Sequence, residues 1–200
     1  MNGMMTSYQQ TLTSFEDRAK ILLRPLLGFI ATLWLLEIID WLFFGGSMDY
    51  LGILPRQYVG LRGILLAPLL HSGFGHLLAN TLPILVLGFM LRLRHQAHAV
   101  FITAIILVVS GVGTWLVGPP NTVTIGASGL VFGYFAFLVV NAWYERSKGA
   151  IAFALVVIIA YGGIIWGIFP AGNGVSWQSH FFGLVGGVIA AYYLHRRFDQ

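Results

Sequence analysis

Gly126-Ala127-Ser128-Gly129-Leu130-Val131-Phe132-Gly133-Tyr134-Phe135-Ala136-Phe137-Leu138-Val139-Val140 opens an apolar run that reaches residue 144, and its reading decides the fold. A run of this length without a charge has the length and character of a membrane-spanning helix. A serine between two glycines stands at its head. Another apolar run, about 177–195, contains His180 near its start. The whole chain has the same character: 58% of its residues are hydrophobic and 9% are charged, with a mean hydropathy of +0.82. Such a balance excludes an ordinary soluble domain and predicts an integral membrane protein.

Working outward, six apolar segments are read at about 24–46, 75–91, 97–117, 127–144, 150–169 and 177–195. All are expected to be helices, since a helix satisfies its own backbone in lipid. Two hundred residues hold about six spans of roughly 20 residues with short loops, and leave no room for a separate soluble domain. The expected organisation is a cytoplasmic segment 1–23, one membrane domain 24–195 and a cytoplasmic tail 196–200. The first twenty residues lack an apolar h-region, so the first span is expected to serve as the insertion signal. There is no cysteine, hence no disulfide, thiol nucleophile or thiolate metal site.

The basic residues report orientation. Arg18, Lys20 and Arg24 precede the first span, Arg92 and Arg94 follow the second, Arg146 and Lys148 the fourth, and Arg196 and Arg197 the sixth. Only Arg56 and Arg62 fall on the other side. The positive-inside rule then predicts that both termini are cytoplasmic. His76, Asn80, Ser128 and His180 consequently enter from the outer face. Measured to the basic anchors Arg92, Arg146 and Arg196 at about 1.5 Å per residue, His76, Ser128 and His180 lie roughly 24, 27 and 24 Å away. They should share one plane, with Asn80 one turn below His76.

These residues form three motifs: His76-x-x-x-Asn80, Gly126-x-Ser128-Gly129 and His180-x-x-Gly183-x-x-x-Gly187. In this order and at matched depth they resemble the rhomboid intramembrane serine proteases, over roughly residues 50–190. Gly52-Ile53-Leu54-Pro55-Arg56 and Ala67-Pro68-Leu69-Leu70-His71 are also similar to that family. Its first outer loop usually carries Trp-Arg, where this chain has Leu61-Arg62. The resemblance implies an all-α, six-helix bundle that cleaves transmembrane protein substrates, with small residues near the cut. It also implies a prokaryotic plasma membrane and an aromatic side chain at Phe132 against the histidine.

The residues support this chemistry without a family name. A serine hydroxyl needs a base to become a nucleophile, and histidine suits that task near neutral pH. Ser128 and His180 meet the minimum. No carboxylate stands at a suitable depth to orient the histidine, which predicts a dyad. The oxyanion formed by attack needs preorganised donors; candidates are the Ser128 N–H at its helix start and the side chains of His76 and Asn80. The competing reading of His76 and Asn80 is a polar contact that holds the bundle together. Phe132 either meets the imidazole or faces lipid. His71 either donates to the site or bonds loop backbone. Gly129 with Gly133, and Gly183 with Gly187, provide small surfaces by which the fourth and sixth spans can approach.

The outer segment from about Ser47 to Gly75 is too long for a bare connector, and its Tyr50, Leu51, Ile53 and Leu54 suggest a loop partly seated in the membrane interface. Pro170-Ala171-Gly172-Asn173-Gly174 has turn chemistry and reads as a movable cap or as an ordinary turn. Glu37 and Asp40 are expected to pair with Arg62, Arg56 or loop backbone, and His95, His98 and His195 to be solvated. No metal, organic cofactor or nucleic-acid partner is expected; the lipid bilayer is. The chain lacks the His-Glu-x-x-His of a metalloprotease and the paired intramembrane aspartates of an aspartyl protease. A transporter would show a second set of broken helices, which the sequence lacks. A noncatalytic rhomboid-like protein that binds membrane clients is the remaining alternative, although such a protein is expected to lack the serine or the histidine.

Overall fold

The computed structural model describes residues 2–170 and 174–198, with side chains from 17 to 170 and from 174 to 197. Six long helices carry it: α1 Asn2–Ile39, α2 Phe74–His95, α3 Ala99–Val117, α4 Ser128–Glu145, α5 Lys148–Tyr161 and α6 Trp177–Phe198. Among the described residues there is no strand, only an isolated antiparallel bridge between Ile53 and Thr124. Three stretches are long and apolar enough to cross a membrane by themselves: Asp17–Phe44, Phe74–Val117 and Lys148–Ile168.

The centre of the bundle is α4. Every residue from Gly129 to Leu138 is buried, and the helix meets α2, α3, α5 and α6. Its small residues Gly129, Gly133, Ala136 and Ala142 let these neighbours close in on every side. Phe137 fills the middle, fully enclosed with Leu77, Ile84, Leu87, Ile102 and Ile106. By contrast α5 turns Ile151, Leu155, Val156 and Ile159 outward. In water such a face would be costly; in lipid it is the normal exterior.

Two of the expected spans take a different form. The first helix begins at Asn2 rather than near residue 24 and runs through Pro25. Proline removes the N–H that would bond the carbonyl four residues earlier. Here Arg92 supplies the missing donor: its Nη2 bonds the Ile21 carbonyl at 3.1 Å and its Nε the Leu22 carbonyl at 2.9 Å. The helix therefore continues past its proline. The fifth span is α-helical only to Tyr161 and then tightens into a 3-10 helix, Gly162–Ile168. A 3-10 run of this length is uncommon, and it delivers a backbone carbonyl to the site described below.

The connection between α1 and α2 is built from short helical turns, Ser47–Leu51, Tyr58–Arg62, Gly63–Leu66 and Ala67–Leu69. It is tied down by backbone. Ile53 and Thr124 exchange two bonds of 2.9 Å, and the Gly126 N–H donates to the Ala67 carbonyl at 2.8 Å. These contacts fix the loop to the segment that leads into Ser128. Arg62 donates to the Tyr50 carbonyl and Arg56 to that of Leu116, both at 3.1 Å. Neither pairs with Glu37 or Asp40 as a salt bridge; Asp40 instead accepts the Met48 N–H at 3.1 Å. Loop backbone is thus the partner on both sides of the expected ion pairs.

At the opposite end the histidines are less solvated than their charged neighbourhood suggests. His95 lies edge-on to Phe137, with centroids 5.1 Å apart, and meets Asn141 at 3.3 Å. His195 stacks on Tyr144 at 4.8 Å. The ends of α2 and α6 converge on α4, so these imidazoles are packed between helices. Arg94 and Glu145 bridge the same end through Nη2, at 2.7 and 2.6 Å. That pairing holds the Glu145 carboxyl below its usual range, mainly through the hydrogen bond from Arg94.

Candidate active site

Ser128 is the first residue of α4 and His180 lies in the first turn of α6, so the two enter the bundle at the same end. Their helices approach because Gly183 and Gly187 have no Cβ. A methyl at Gly183 would collide with the Gly129 carbonyl, and one at Gly187 with the Gly133 carbonyl and, at 2.8 Å, the Phe137 nitrogen. Gly129 and Gly133 thus lend their backbone to this contact, while the space where their side chains would be is taken by Ser110 and Ile106 of α3 and, at Gly129, also by Ser179 of α6. Both glycine pairs therefore lie at the contact between α4 and α6, and the pair on α4 admits α3 as well.

With the helices this close, the Ser128 hydroxyl lies 2.9 Å from His180 Nε2. The other ring nitrogen, Nδ1, is 2.8 Å from the Gly167 carbonyl. A carbonyl only accepts, so Nδ1 must carry the proton and Nε2 is left as the acceptor for Ser128. The 3-10 helix thus fixes the tautomer that an orienting carboxylate fixes in a triad. Phe132, one turn into α4, lies against the imidazole with centroids 4.1 Å apart and planes 8° from parallel. The ring is held on one face by packing and at its far nitrogen by backbone.

Gly126 occupies φ +105°, a region that side chains rarely adopt. A methyl there would stand 2.7 Å from both Cε1 and Nε2 of His76 and 3.9 Å from Asn80 Nδ2. His76 and Asn80 of α2 consequently converge on the backbone that leads into Ser128. Ser72 approaches His76 Nδ1 through its N–H at 3.4 Å and its hydroxyl at 3.3 Å. If Nδ1 accepts, Nε2 presents its proton towards the segment before Ser128. Asn80 donates one amide hydrogen to the His76 carbonyl at 2.9 Å and keeps a second.

His71 is buried, and neither of its ring nitrogens has a hydrogen-bond partner. It meets the His76 ring at a centroid distance of 5.1 Å, edge to face. Burial pushes its pKa down to about 4, so it is neutral near pH 7. Of the two uses expected for His71, a bond to loop backbone is not made, and its contact with the site is through His76.

Ser128, His180, His76, Asn80 and Phe132 all line one cavity of about 890 Å³. Pro170 and Gly174 line it too; Ala171, Gly172 and Asn173, the middle of the expected cap, lie outside the described residues. The sequence reading missed Ser72 and Gly167. Ser72 lies in the turn before α2, which begins at Phe74, so helical spacing gave no pointer to it. Gly167 contributes only a carbonyl, and a backbone group leaves no mark in residue type. The geometry can activate a hydroxyl, hold the resulting imidazolium and offer donors to a developing oxyanion.

Comparison with known proteins bears on the family. An uncharacterized protein of Mycobacterium tuberculosis is 47% identical over 177 residues, which cover 84% of this chain and 73% of that protein. The Bacillus subtilis protein named "Putative rhomboid protease YdcA" is 26% identical over 189 residues, 86% of this chain and 89% of its own. Rhomboid-related protein 1 of Caenorhabditis elegans is 28% identical over 132 residues, 62% of this chain and 37% of its own. The family model of the Rhomboid domain matches residues 58–197, a stretch that holds Ser128, His180, His76 and Asn80 together, and the chain belongs to the rhomboid family.

Proposed function

We propose that this protein is an intramembrane serine endopeptidase that cleaves transmembrane proteins near the outer membrane face. The observation that carries the reading is the 2.9 Å contact between Ser128 and His180 Nε2, with Nδ1 held at 2.8 Å by the Gly167 carbonyl. Ser128 Oγ attacks the scissile carbonyl as its proton passes to Nε2. The oxyanion takes hydrogen bonds from the Ser128 N–H, which lies in the first helical turn where no intrahelical acceptor exists, and from His76 and Asn80. His180 then protonates the leaving amine, and water releases the acyl group by the same route in reverse. The cycle calls for no metal or organic cofactor.

In this reading all six long helices span the bilayer, both termini are cytoplasmic, and the membrane is a bacterial plasma membrane, in keeping with the bacterial relatives. The outer loop sits partly in the interface, with the 89% exposed Tyr58 and its apolar neighbours towards lipid. Because the chain has no cysteine, single cysteines report topology directly. A membrane-impermeant maleimide applied to intact cells should label Pro120→Cys and leave Lys148→Cys unlabelled; the opposite pattern would exclude this orientation.

The reading itself is tested by reconstituting the purified chain with a model transmembrane substrate and mapping products by mass spectrometry. Absence of a cut in or beside the substrate's span would overturn it. His76→Ala should lower kcat by about 10² with little change in KM, the expected cost of one oxyanion donor. An effect confined to KM would assign His76 to substrate binding instead.

A further inference from the structure

The cavity that holds Ser128 and His180 is lined by hydroxyls, amides and imidazoles, and by one group of a different kind. Among the described residues, Asp49 is its only formally charged lining side chain, with no lysine or arginine among them. Asp49 belongs to the Ser47–Leu51 turn of the outer loop, and its Oδ1 is buried with no hydrogen-bond partner. The nearby carboxylate of Asp40 is engaged by the Met48 N–H, and Glu37 by the Gly73 backbone. The loop cations are occupied as well, Arg56 by the Leu116 carbonyl and Arg62 by that of Tyr50. A buried carboxylate oxygen without a donor calls for one.

We infer that Asp49 is a specificity-determining residue, forming an acidic subsite that receives a lysine or arginine side chain of the substrate close to the scissile bond. The inference rests on the protease reading above and adds to it which substrates are preferred. A cationic side chain would give Oδ1 its missing donor and neutralise the one charge in the cavity. An acidic side chain there would meet Asp49 with Asp40 and Glu37 behind it. Glu37 of α1 and Asp40 just past its end act on Asp49, and His76 of α2 and His180 of α6 line the same cavity.

The carboxyl of Asp49 is pushed up to about 6, chiefly by burial and further by the charge of Asp40. It is therefore ionised above about pH 6 and neutral below. The preference for a cation should be complete near pH 7.5 and fade as the pH falls through this value. Lysine and arginine stay charged throughout, so the change comes from the enzyme.

The test uses the full chain in proteoliposomes and a set of transmembrane substrates that carry lysine, glutamine or glutamate in turn at each of the four positions on either side of the cut. The measured quantity is the ratio of kcat/KM for lysine over glutamine at the same position, which cancels changes in overall activity. At one position or more, the wild type should favour lysine on the order of fivefold to tenfold at pH 7.5, the worth of one half-buried charge pair. Glutamate should fall below glutamine there. At pH 5.5 the ratio should approach one, and in Asp49→Asn it should approach one at both pH values. If that variant fails to fold, the pH dependence of the wild-type ratio decides. Cleavage of all substrates without a charge preference, or a preference that survives in Asp49→Asn, would overturn the subsite and leave the protease reading intact. Cleavage of none would overturn both.

Discussion

Replacing Ser128 by alanine is expected to lower cleavage of a transmembrane substrate by about 10⁴-fold or more and to abolish labelling by a fluorophosphonate. The hydroxyl is the only atom in the arrangement placed to attack and to pass its proton to His180 Nε2, 2.9 Å away. His180→Ala should cost nearly as much. The double variant should be little worse than either single one, because a nucleophile and its base act as a unit and their effects do not add. Fold is not at stake in the serine variant, which removes one hydroxyl from a cavity wall, so circular dichroism and thermal unfolding should match the wild type. Unchanged cleavage in either single variant would sink the proposed mechanism, and additive losses would separate the two residues into independent roles.

The second large effect concerns assembly. Gly187→Val should destabilise the bundle by about 3 kcal/mol or more, the range of severe overpacking. The added carbons would meet the Gly133 carbonyl and the Phe137 nitrogen, backbone atoms of a helix buried on all sides that cannot turn away as a side chain would. By the scaling for chains of this size, the thermal midpoint in detergent should fall by about 6–12 °C. Gly163→Ala is the control, since a methyl there meets nothing within 4 Å. Equal midpoints for the two variants would show that α4 and α6 are not held at the close approach on which the Ser128 to His180 contact depends.

Membrane character and helical class were legible from composition and from runs such as 127–144, because a bilayer imposes a length and an apolarity that no arrangement of neighbours can relax. The candidate residues were legible as well. A serine between glycines and histidines near the heads of apolar runs stand out because polar groups are costly in lipid, and counting to the basic anchors predicts that they share one depth.

Other features depend on partners distant in the chain. Nothing near Pro25 announces that α1 passes through it; Arg92, far along the sequence, supplies the donor that permits this. The glycines predicted an approach, yet only packing reveals that Gly129 and Gly133 admit α3 as well as α6. The orienting group for His180 is a carbonyl, and every residue has one. Sequence by itself determined the membrane character and the helical class and nominated the side chains suited to chemistry, since those follow from composition, residue type and spacing. Only the tertiary structure decided which backbone groups hold them, which loop carboxylate joins their cavity and how closely the helices meet, because each of these is a distance between groups that the order of residues leaves free.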